Sequence, residues 1–224
     1  MRVIIAGAGS VGRSIANELL AADHEVVLID KQPSAMRVAS VADAEWLLAD
    51  ACELSTLTKV KADECDVIVA ATGDDKVNLV VSLLAKTEYG VPRTVARVNN
   101  PKNEWMFDEA WGVDVAVSTP RIMTAMVEEA VAVGDLVKIF TFHQSGADIL
   151  EVTLPEDSPM IGVRVGQVIW PPDTVLAAVV RGQRPIAPSP DDTLEAGDEL
   201  LIVAGSEATP QALHDLLVQP REAT

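Results

Sequence analysis

The sequence predicts an α/β protein in which a Rossmann-like, doubly wound parallel sheet is followed by a small mixed α/β domain. Three observations predict this fold. Short runs of Val, Ile, Leu and Ala alternate with amphipathic segments in the first part of the chain, as in parallel strands joined by crossover helices. The glycine string GAGSVG directly follows the first of these runs. Beyond residue 135 the apolar segments become shorter and are broken by Gly, Pro and Asp.

Six strands are predicted in the first domain, each from a short apolar run. Their ranges are Arg2–Ala6, Glu25–Ile29, Glu45–Leu48, Val67–Ala71, Thr94–Val98 and Asp114–Val117. The amphipathic segments predict five helices, namely Val11–Ala22, Leu54–Val60, Lys76–Tyr89, Asn103–Trp111 and Pro120–Val133. We expect this domain to cover residues 1–134.

The second domain is predicted over residues 135–219. Its strand segments read LVKIFTF, ILEVTLP, VLAAVVRG and ELLIVAG. The stretch PIAPSPDDTLEAGD, rich in turn formers, separates the last two strands. An amphipathic helix at about Pro210–Leu217 is expected to end the domain.

Composition and charge limit the classes of protein. The 224 residues carry a formal net charge of −17 at pH 7, which argues against binding to nucleic acid or to an anionic membrane surface. No apolar run approaches the roughly 18 residues of a membrane span, and the first residues have the character of a strand rather than of a signal peptide. Cys52 and Cys65 lack the paired spacing of a zinc site, so no metal is expected. We expect a cytoplasmic protein; if it takes part in transport, another chain supplies the pore.

The glycine string gains meaning from its surroundings, because a strand precedes it and a helix with apolar residues at helical spacing follows it. Gly7 would form the tight turn, Gly9 would let the backbone approach a pyrophosphate, and Gly12 would let helix and strand pack closely. The start of the helix offers free N–H groups and the positive end of its dipole to phosphates.

Asp30 directly follows the second predicted strand, 18 residues after Gly12. This is close to the spacing of about 20 residues that is typical of a ribose-binding acid. A 2′-phosphate would meet its negative charge, which disfavours NADP, although the neighbouring Lys31 keeps NADP from being excluded. The alternative is a glycine turn and an acidic strand end without a ligand.

Polar and small residues follow two further strands of the predicted sheet. Asp50 and Ala51 follow the third strand, and Thr72, Gly73 and Asp74 follow the fourth. The carboxyl ends of parallel strands line the ligand crevice, so these residues are candidates to border a nucleotide. Helix capping is the alternative for the acids, and it explains Asp75 well.

Arg97 lies inside the apolar strand TVARV. A buried arginine is costly unless it is paired, so it needs either a carboxylate or a ligand phosphate. The residues alone favour neither partner over the other.

No set of residues suited to hydride transfer is evident, since such an enzyme needs a proton donor and an anchor for its substrate. His24 precedes the second strand, His143 and His214 fall in the small domain, and Tyr89 closes a helix. We therefore expect a protein without catalytic activity. A small NAD-dependent oxidoreductase remains the alternative that the fold signature allows.

The segments GAGSVGR, HEVVLID, ADACELSTL, VIVAATGDDKVNLVVSLLAKTEYGVPRTVARVNNP and WGVDVAVST together resemble the RCK (regulator of K⁺ conductance) family. The likeness is greatest to the cytoplasmic regulatory subunits of Trk/Ktr-type potassium uptake systems. PMIGVRVGQVIWPPDTVLAAVVRG and TLEAGDELLIVAG are similar to the small RCK C-terminal domain. The resemblance covers nearly the whole chain.

The resemblance implies a nucleotide-sensing subunit at the inner face of the cell membrane that gates a Trk/Ktr-type pore subunit. The regulatory ligand would be NAD(H), ADP or ATP. The first domains would pair through the last crossover helix, about Arg121–Val133, and the dimers would form a homo-oligomeric tetramer or octamer ring, or a hetero-oligomer with a related RCK subunit. A stand-alone nucleotide or cyclic di-AMP sensor is a further alternative.

By position, the resemblance also implies the residues that contact the nucleotide. The backbone of Gly7, Ala8, Gly9, Ser10 and Val11 would hold the phosphates. Asp30 would bind the ribose, Asp50 and Ala51 would lie on the adenosine side, Thr72 and Gly73 would border the nucleotide, and Arg97 would reach its phosphates.

The sequence departs from the ATP-sensing branch of the family at two positions. Ser10 stands where an arginine often contacts a neighbour's γ-phosphate, and Pro120 and Arg121 stand where a metal-binding glutamate can occur. Both departures favour NAD(H) or ADP over ATP with a divalent ion. Some C-terminal domains of this type bind cyclic di-AMP; Val163, Val165, Val168 and Ile169 could form such a surface, but core packing explains them better.

Overall fold

In the computed structural model, described for residues 1–131, 134–142, 145–205 and 210–218, the first part of the chain forms a six-stranded parallel sheet. Its strands are β1 (Arg2–Ala6), β2 (Glu25–Asp30), β3 (Glu45–Leu48), β4 (Val67–Ala70), β5 (Arg93–Val98) and β6 (Val115–Ser118). Their order in the sheet, β3-β2-β1-β4-β5-β6, is that of a doubly wound fold. The predicted Rossmann-like sheet is confirmed.

Helices cover the two faces of this sheet. They are α1 (Ser10–Ala21), α2 (Leu54–Lys59) and α3 (Asp75–Thr87), and α4 (Thr119–Val131) follows the last strand. One face packs with α1 in a cluster that includes Ile5, Leu28 and Ala16. The other face packs with α2 and α3 through Leu57 and Leu79. Alternation of side chains along each strand sends neighbouring residues into these two separate cores.

The predicted helix Asn103–Trp111 is wrong. Two short 3₁₀ helices, Pro101–Met106 and Glu109–Trp111, replace it. The carboxylate of Asp108 accepts hydrogen bonds from the backbone N–H groups of Ala110 and Trp111, so it starts a new turn in the middle of the predicted helix. The amphipathic pattern was present, but the local capping interaction divides the segment.

The second part of the chain forms a five-stranded antiparallel sheet with the order β10-β9-β11-β8-β7. Its elements are β7 (Val137–Thr141), β8 (Asp148–Thr153), β9 (Thr174–Arg181), β10 (Arg184–Ile186), β11 (Glu199–Ala204) and the helix α5 (Pro210–Leu217). Leu150, Leu200, Ile202 and Leu213 lie in its core. The predicted mixed α/β domain is confirmed. Sequence reasoning missed β10, because RPI contains a proline and has no apolar run.

The chain divides into two compact units, Met1–Arg121 and Ile122–Thr224. The predicted domain boundary between residues 134 and 135 stays a prediction. Val133, the predicted end of the crossover helix, lies outside the described residues, as do His143 and the predicted domain end at Gln219.

Two negative findings apply to the described part of the chain alone. None of its helices is long and apolar enough to cross a membrane. In the same described residues, no three or more His, Cys, Asp or Glu side chains lie together in a group that could hold a metal ion. The expectation that the protein binds no metal stays a prediction.

Candidate functional site

The candidate site lies at the carboxyl ends of the parallel strands. β1 pairs with β2 on one side and with β4 on the other, so the strand order reverses at β1. A crevice forms at such a reversal, because the connections on the two sides leave the sheet in opposite directions. The segments that follow β1, β2, β3 and β4 carry most of the predicted site residues, and Arg97 lies near the end of β5.

Gly7 and Gly12 are required by the packing of the turn after β1. Gly7 has a φ of +109°, and a Cβ there would lie 2.8 Å from the backbone nitrogen of Thr72. A Cβ on Gly12 would lie 1.8 Å from the carbonyl oxygen of Gly7, so any side chain would collide with the backbone. These two glycines therefore have structural roles in the strand–turn–helix unit.

Gly9 differs from them, because a Cβ at this position would meet nothing within 4 Å. It caps α1 without a side-chain hydrogen bond, and the first turn of the helix contains no acidic residue. Gly9 and Ser10 are exposed. The start of α1 thus presents backbone N–H groups to open space, which is the arrangement that binds anions.

Asp30 lies beside the glycine turn. Its carboxylate accepts a hydrogen bond from the backbone N–H of Ala8 at 2.8 Å and one from that of Gln32 at 2.8 Å. These bonds fix the orientation of the carboxylate at the end of β2. Each oxygen can accept a further hydrogen bond, so the residue still fits the predicted ribose contact.

Lys31 and Asp50 connect the ends of β2 and β3. The Lys31 Nζ atom lies 3.4 Å from Oδ2 of Asp50, and both side chains are partly exposed. The backbone N–H of Cys52 donates to Asp50, and this bond, together with Lys31, holds the pKa of Asp50 below its usual value. Burial raises the pKa of the Cys52 thiol to about 11. Ala51 between them is buried.

The residues after β4 divide into two groups. Asp74 caps α3, because its carboxylate accepts from the backbone N–H of Lys76 at 2.9 Å. The side chain of Asp74 is therefore occupied in capping α3. Gly73 has open space where a Cβ would stand, as Gly9 has. Thr72 bonds to Asn78, a residue that the sequence analysis did not single out as a ligand contact.

Asn78 joins the ends of β4 and β5. Its side chain is fully buried (0% exposed). Its Oδ1 accepts from the backbone N–H of Thr72 at 2.9 Å and from the Thr72 hydroxyl at 2.6 Å, while its Nδ2 donates to the carbonyl oxygen of Arg97 at 2.8 Å. An asparagine on the apolar face of a predicted helix was the one signal that could have revealed this role.

Asp75 does not cap α3, which corrects the capping interpretation of this residue. It is 7% exposed. Its carboxylate accepts from the backbone N–H groups of Asn99 and Asn100 and from the side-chain amides of Asn99 and Asn103. Burial acts to raise the pKa of Asp75, but these hydrogen bonds outweigh burial and hold the pKa below its usual value. The local sequence does not reveal that these asparagines meet the aspartate.

Arg97 has a buried Nε atom without a hydrogen-bond partner. In the described part of the chain, no carboxylate forms an ion pair with its guanidinium group. Its neighbours Ala96 and Val98 belong to the core on the α2 and α3 face, so strand alternation places the Arg97 side chain on the opposite face of the sheet, the one on which α1 lies. A buried donor without a partner is costly, so this atom fits an oxygen-rich ligand such as a phosphate.

The residues named for a cyclic di-AMP surface belong to the second unit. Val165 and Val168 pack against its core, in agreement with the packing interpretation, whereas Ile169 is 89% exposed. A groove there is lined by Met160, Val163, Val168, Ile169 and neighbouring side chains. The described residues that line it are apolar except for Gln167, and none of them carries a charge that would mark a phosphate site.

The strand order and the glycine turn define the first unit as a domain of the Rossmann type. The TrkA-N domain matches residues 3–119, and the TrkA-C domain matches residues 149–216. The chain belongs to the TrkA family. It is 52% identical over 217 residues to the Trk system potassium uptake protein TrkA of Mycobacterium tuberculosis (strain ATCC 25618 / H37Rv), covering 97% of this chain and 99% of that protein.

Solved structures of RCK proteins are similar in fold. The GsuK channel bound to NAD has a TM-score of 0.66 at 16% identity, over 99% of this chain and 40% of the channel chain. GsuK bound to ADP has a TM-score of 0.51 at 26% identity, over 57% of this chain and 33% of the other. This chain therefore spans less than half the length of those channel chains.

Proposed function

We propose that this chain is a nucleotide-sensing regulatory subunit that gates a Trk/Ktr-type potassium transporter. Its relative in M. tuberculosis, of nearly the same length, is named as a Trk system potassium uptake protein. Since none of the described helices could cross a membrane, the pore belongs to another chain in this proposal. The subunit acts at the inner face of the membrane and is not an enzyme.

The observation that carries nucleotide binding is the unpaired, buried Nε of Arg97. It fits a diphosphate together with the uncapped start of α1, where Gly9 leaves room for close approach. Backbone N–H groups and a guanidinium both bind phosphate oxygens strongly. Gly7 and Gly12 are buried, and their close packing against backbone atoms keeps this turn in place.

We infer that NAD(H) or ADP is the regulatory ligand. GsuK, which is 26% identical over 57% of this chain, is described as bound to ADP, and this supports an adenine nucleotide. Asp30 disfavours the 2′-phosphate of NADP, since the nearby cation, Lys31, is paired with Asp50. Ser10 offers no charge to the γ-phosphate of ATP. The proposed nucleotide contacts are Gly7 to Gly12, Asp30, Lys31, Asp50, Ala51, Thr72, Gly73, Asp74 and Arg97.

The protein acts as a homo-oligomer, or with a related subunit, in this proposal. α4 carries exposed apolar side chains at Ile122, Met123, Met126 and Val127, and such a stripe on a helix is typical of a contact between subunits. In the first unit, Val95, Val115 and Val117 are only partly buried and belong to none of the core clusters. Pairing of two subunits through the crossover helix α4 would cover apolar surface of this kind. Assembly of the dimers into a ring would do the same.

The nucleotide acts as a signal. Different nucleotides, or filled and empty sites, favour different arrangements of the paired first domains, taken as residues 1–134, and the ring transmits the difference to the pore. A ligand shifts such an equilibrium only by its differential affinity for the two states. A coupling free energy of about 1–3 kcal/mol would change opening several-fold to about a hundredfold.

A side-by-side calorimetric titration with NAD⁺, NADH, ADP, ATP and cyclic di-AMP tests the ligand. We expect NAD(H) or ADP to bind, and ATP to bind more weakly. Co-expression with a Trk-type membrane subunit then tests the partner, with potassium uptake measured in vesicles loaded with each nucleotide. Failure to associate under every nucleotide condition would favour a stand-alone sensor, and steady oxidation of NADH with a carbonyl substrate would favour an oxidoreductase.

A further inference from the structure

The carboxylate of Asp75, which follows β4, accepts its hydrogen bonds from the segment that follows β5. Asp75 is the first residue of α3, but the residue that caps the helix is Asp74. Oδ1 of Asp75 accepts from the backbone N–H of Asn99 at 2.6 Å and from the Asn99 side chain at 3.0 Å. Oδ2 accepts from the backbone N–H of Asn100 at 3.0 Å and from the side chain of Asn103 at 2.8 Å. One buried carboxylate thus holds the first residues after β5.

The same segment adjoins Thr72, which is proposed to border the nucleotide, and Arg97, which is proposed to contact its phosphates. The Asn99 side chain donates to the carbonyl oxygen of Thr72 at 3.0 Å. Asn78 holds the carbonyl oxygen of Arg97 on the preceding strand at 2.8 Å. Arg97 is therefore anchored through Asn78 at its own carbonyl and through Asp75 two residues later.

The segment continues to the start of α4. Glu104, in the 3₁₀ helix that begins at Pro101, forms an ion pair with Arg121 in the first turns of α4. Asn78 bonds to both Thr72 and Arg97, and Asn99 bonds to Thr72. Asp75 joins Asn99 to Asn103 by hydrogen bonds, and Glu104, the chain neighbour of Asn103, carries the connection to Arg121 through the ion pair. The hydrogen bonds are short and directional, so displacing one member displaces its neighbours.

We propose, on the basis of the nucleotide site above, that Asp75 is a positioning residue for the phosphate subsite, acting through Asn99, Asn100 and Asn103. It fixes the segment 99–103 and with it Arg97, so that phosphate binding and the order of this segment are linked. The ligand class is an adenine nucleotide with a diphosphate group, as in ADP and NAD(H), and the moiety sensed is the diphosphate. The residue itself contacts no ligand.

Asp75→Asn is the most direct test. It keeps the size of the side chain and one acceptor oxygen, but it places an NH₂ group against donors that now share a carboxylate oxygen. Asp114→Asn is the matched control, because Asp114 also accepts from a backbone N–H and pairs with a side-chain amine, through Thr94 and Lys86. Asp114 directly precedes β6, so it lies at the amino ends of the parallel strands, away from the candidate site at their carboxyl ends. Asn103→Ala removes a single hydrogen bond of the network and guards against misfolding of Asp75→Asn.

The readout compares ADP with adenosine, which lacks the phosphates, by calorimetry on the full chain. We expect Asp75→Asn to weaken ADP binding about tenfold and to leave adenosine binding within about twofold, with a smaller change of the same kind in Asn103→Ala. Asp114→Asn should leave the ratio of the two affinities unchanged. Hydrogen exchange should show that ADP, but not adenosine, slows exchange of amides 99–106 in the wild type, and that Asp75→Asn loses this effect.

Two results overturn the inference, and they differ in what they leave standing. Unchanged ADP affinity in Asp75→Asn, or equal weakening of ADP and adenosine, removes the positioning role and leaves the nucleotide site intact. Absence of ADP and NAD(H) binding by the wild-type protein removes the proposed function and the positioning role together.

Discussion

Gly12 lies so close to Gly7 that a Cβ on Gly12 would stand 1.8 Å from the Gly7 carbonyl oxygen. Because the obstacle is backbone, no side-chain rotation can relieve it. Gly9, two residues after Gly7, has nothing within 4 Å of the same hypothetical atom. Three glycines of one motif thus have different physical roles: two allow the fold, and one leaves space for a ligand.

These roles predict opposite behaviour for two alanine substitutions. Gly12→Ala should lower the free energy of unfolding by about 2 kcal/mol or more, since overpacking against a rigid backbone costs about 1–3 kcal/mol. Gly9→Ala should change it by less than about 1 kcal/mol but should weaken ADP binding. Urea denaturation and calorimetry measure the two effects. Similar losses of stability in both variants would contradict the assignment.

Removal of the Arg97 side chain should affect binding more than stability. Its Nε has no partner to lose, so Arg97→Met should keep the free energy of unfolding within about 1 kcal/mol. A hydrogen bond to a charged group contributes about 1.5–3 kcal/mol, which predicts a loss of ADP affinity of roughly 10- to 100-fold. Calorimetry with ADP and adenosine measures this effect. Arg184→Met, on the second sheet, is the control and should leave affinity unchanged.

Acid should destabilise the first unit through Asp75 and Asp114. Hydrogen bonds hold the pKa of each carboxyl below its usual value despite burial. A depressed pKa in the folded state stabilises the protein above the pKa of the unfolded state, and this stabilisation is lost as the pH falls through the folded pKa. The free energy of unfolding should therefore decrease below about pH 4.

Asp75→Asn provides the check on this pH dependence. The difference in melting temperature between the wild type and this variant should be largest near pH 7 and should shrink as the pH falls towards 3. A difference that stays constant over this range would show that the charge of Asp75 contributes nothing to stability.

A charge placed on the exposed stripe of α4 should prevent self-association. Met123 is 64% exposed and belongs to the apolar stripe, whereas Thr124 lies about 100° further around the helix. Met123→Glu should shift the protein from dimer or larger assemblies to monomer in analytical ultracentrifugation, because a buried, unpaired carboxylate is costly. Thr124→Glu should leave the assembly intact, and disruption by both variants would argue against a specific stripe.

The predicted strands of the first unit agree with the structure to within one residue at each end. Strands buried on both faces of a parallel sheet consist of apolar runs, and such runs are visible in a single sequence. The failures have local causes. Asp108 divides the helix predicted over Asn103–Trp111, and the three residues of β10 contain Pro185 and carry no strand pattern.

The sequence by itself determined the doubly wound sheet, the glycine turn and the acid at the end of β2. These features depend on the periodicity of neighbouring residues and on the backbone freedom of glycine, both of which are local. Only the tertiary structure decided that the Asn78 side chain donates to the carbonyl oxygen of Arg97. It also decided that the carboxylate of Asp75 accepts hydrogen bonds from Asn99, Asn100 and Asn103 instead of capping its own helix. Those partners lie about 20 to 30 residues apart along the chain. Parallel pairing of β4 with β5 brings them together at the carboxyl ends of these two strands. A hydrogen bond across that distance depends on the fold, which no local pattern of residues encodes.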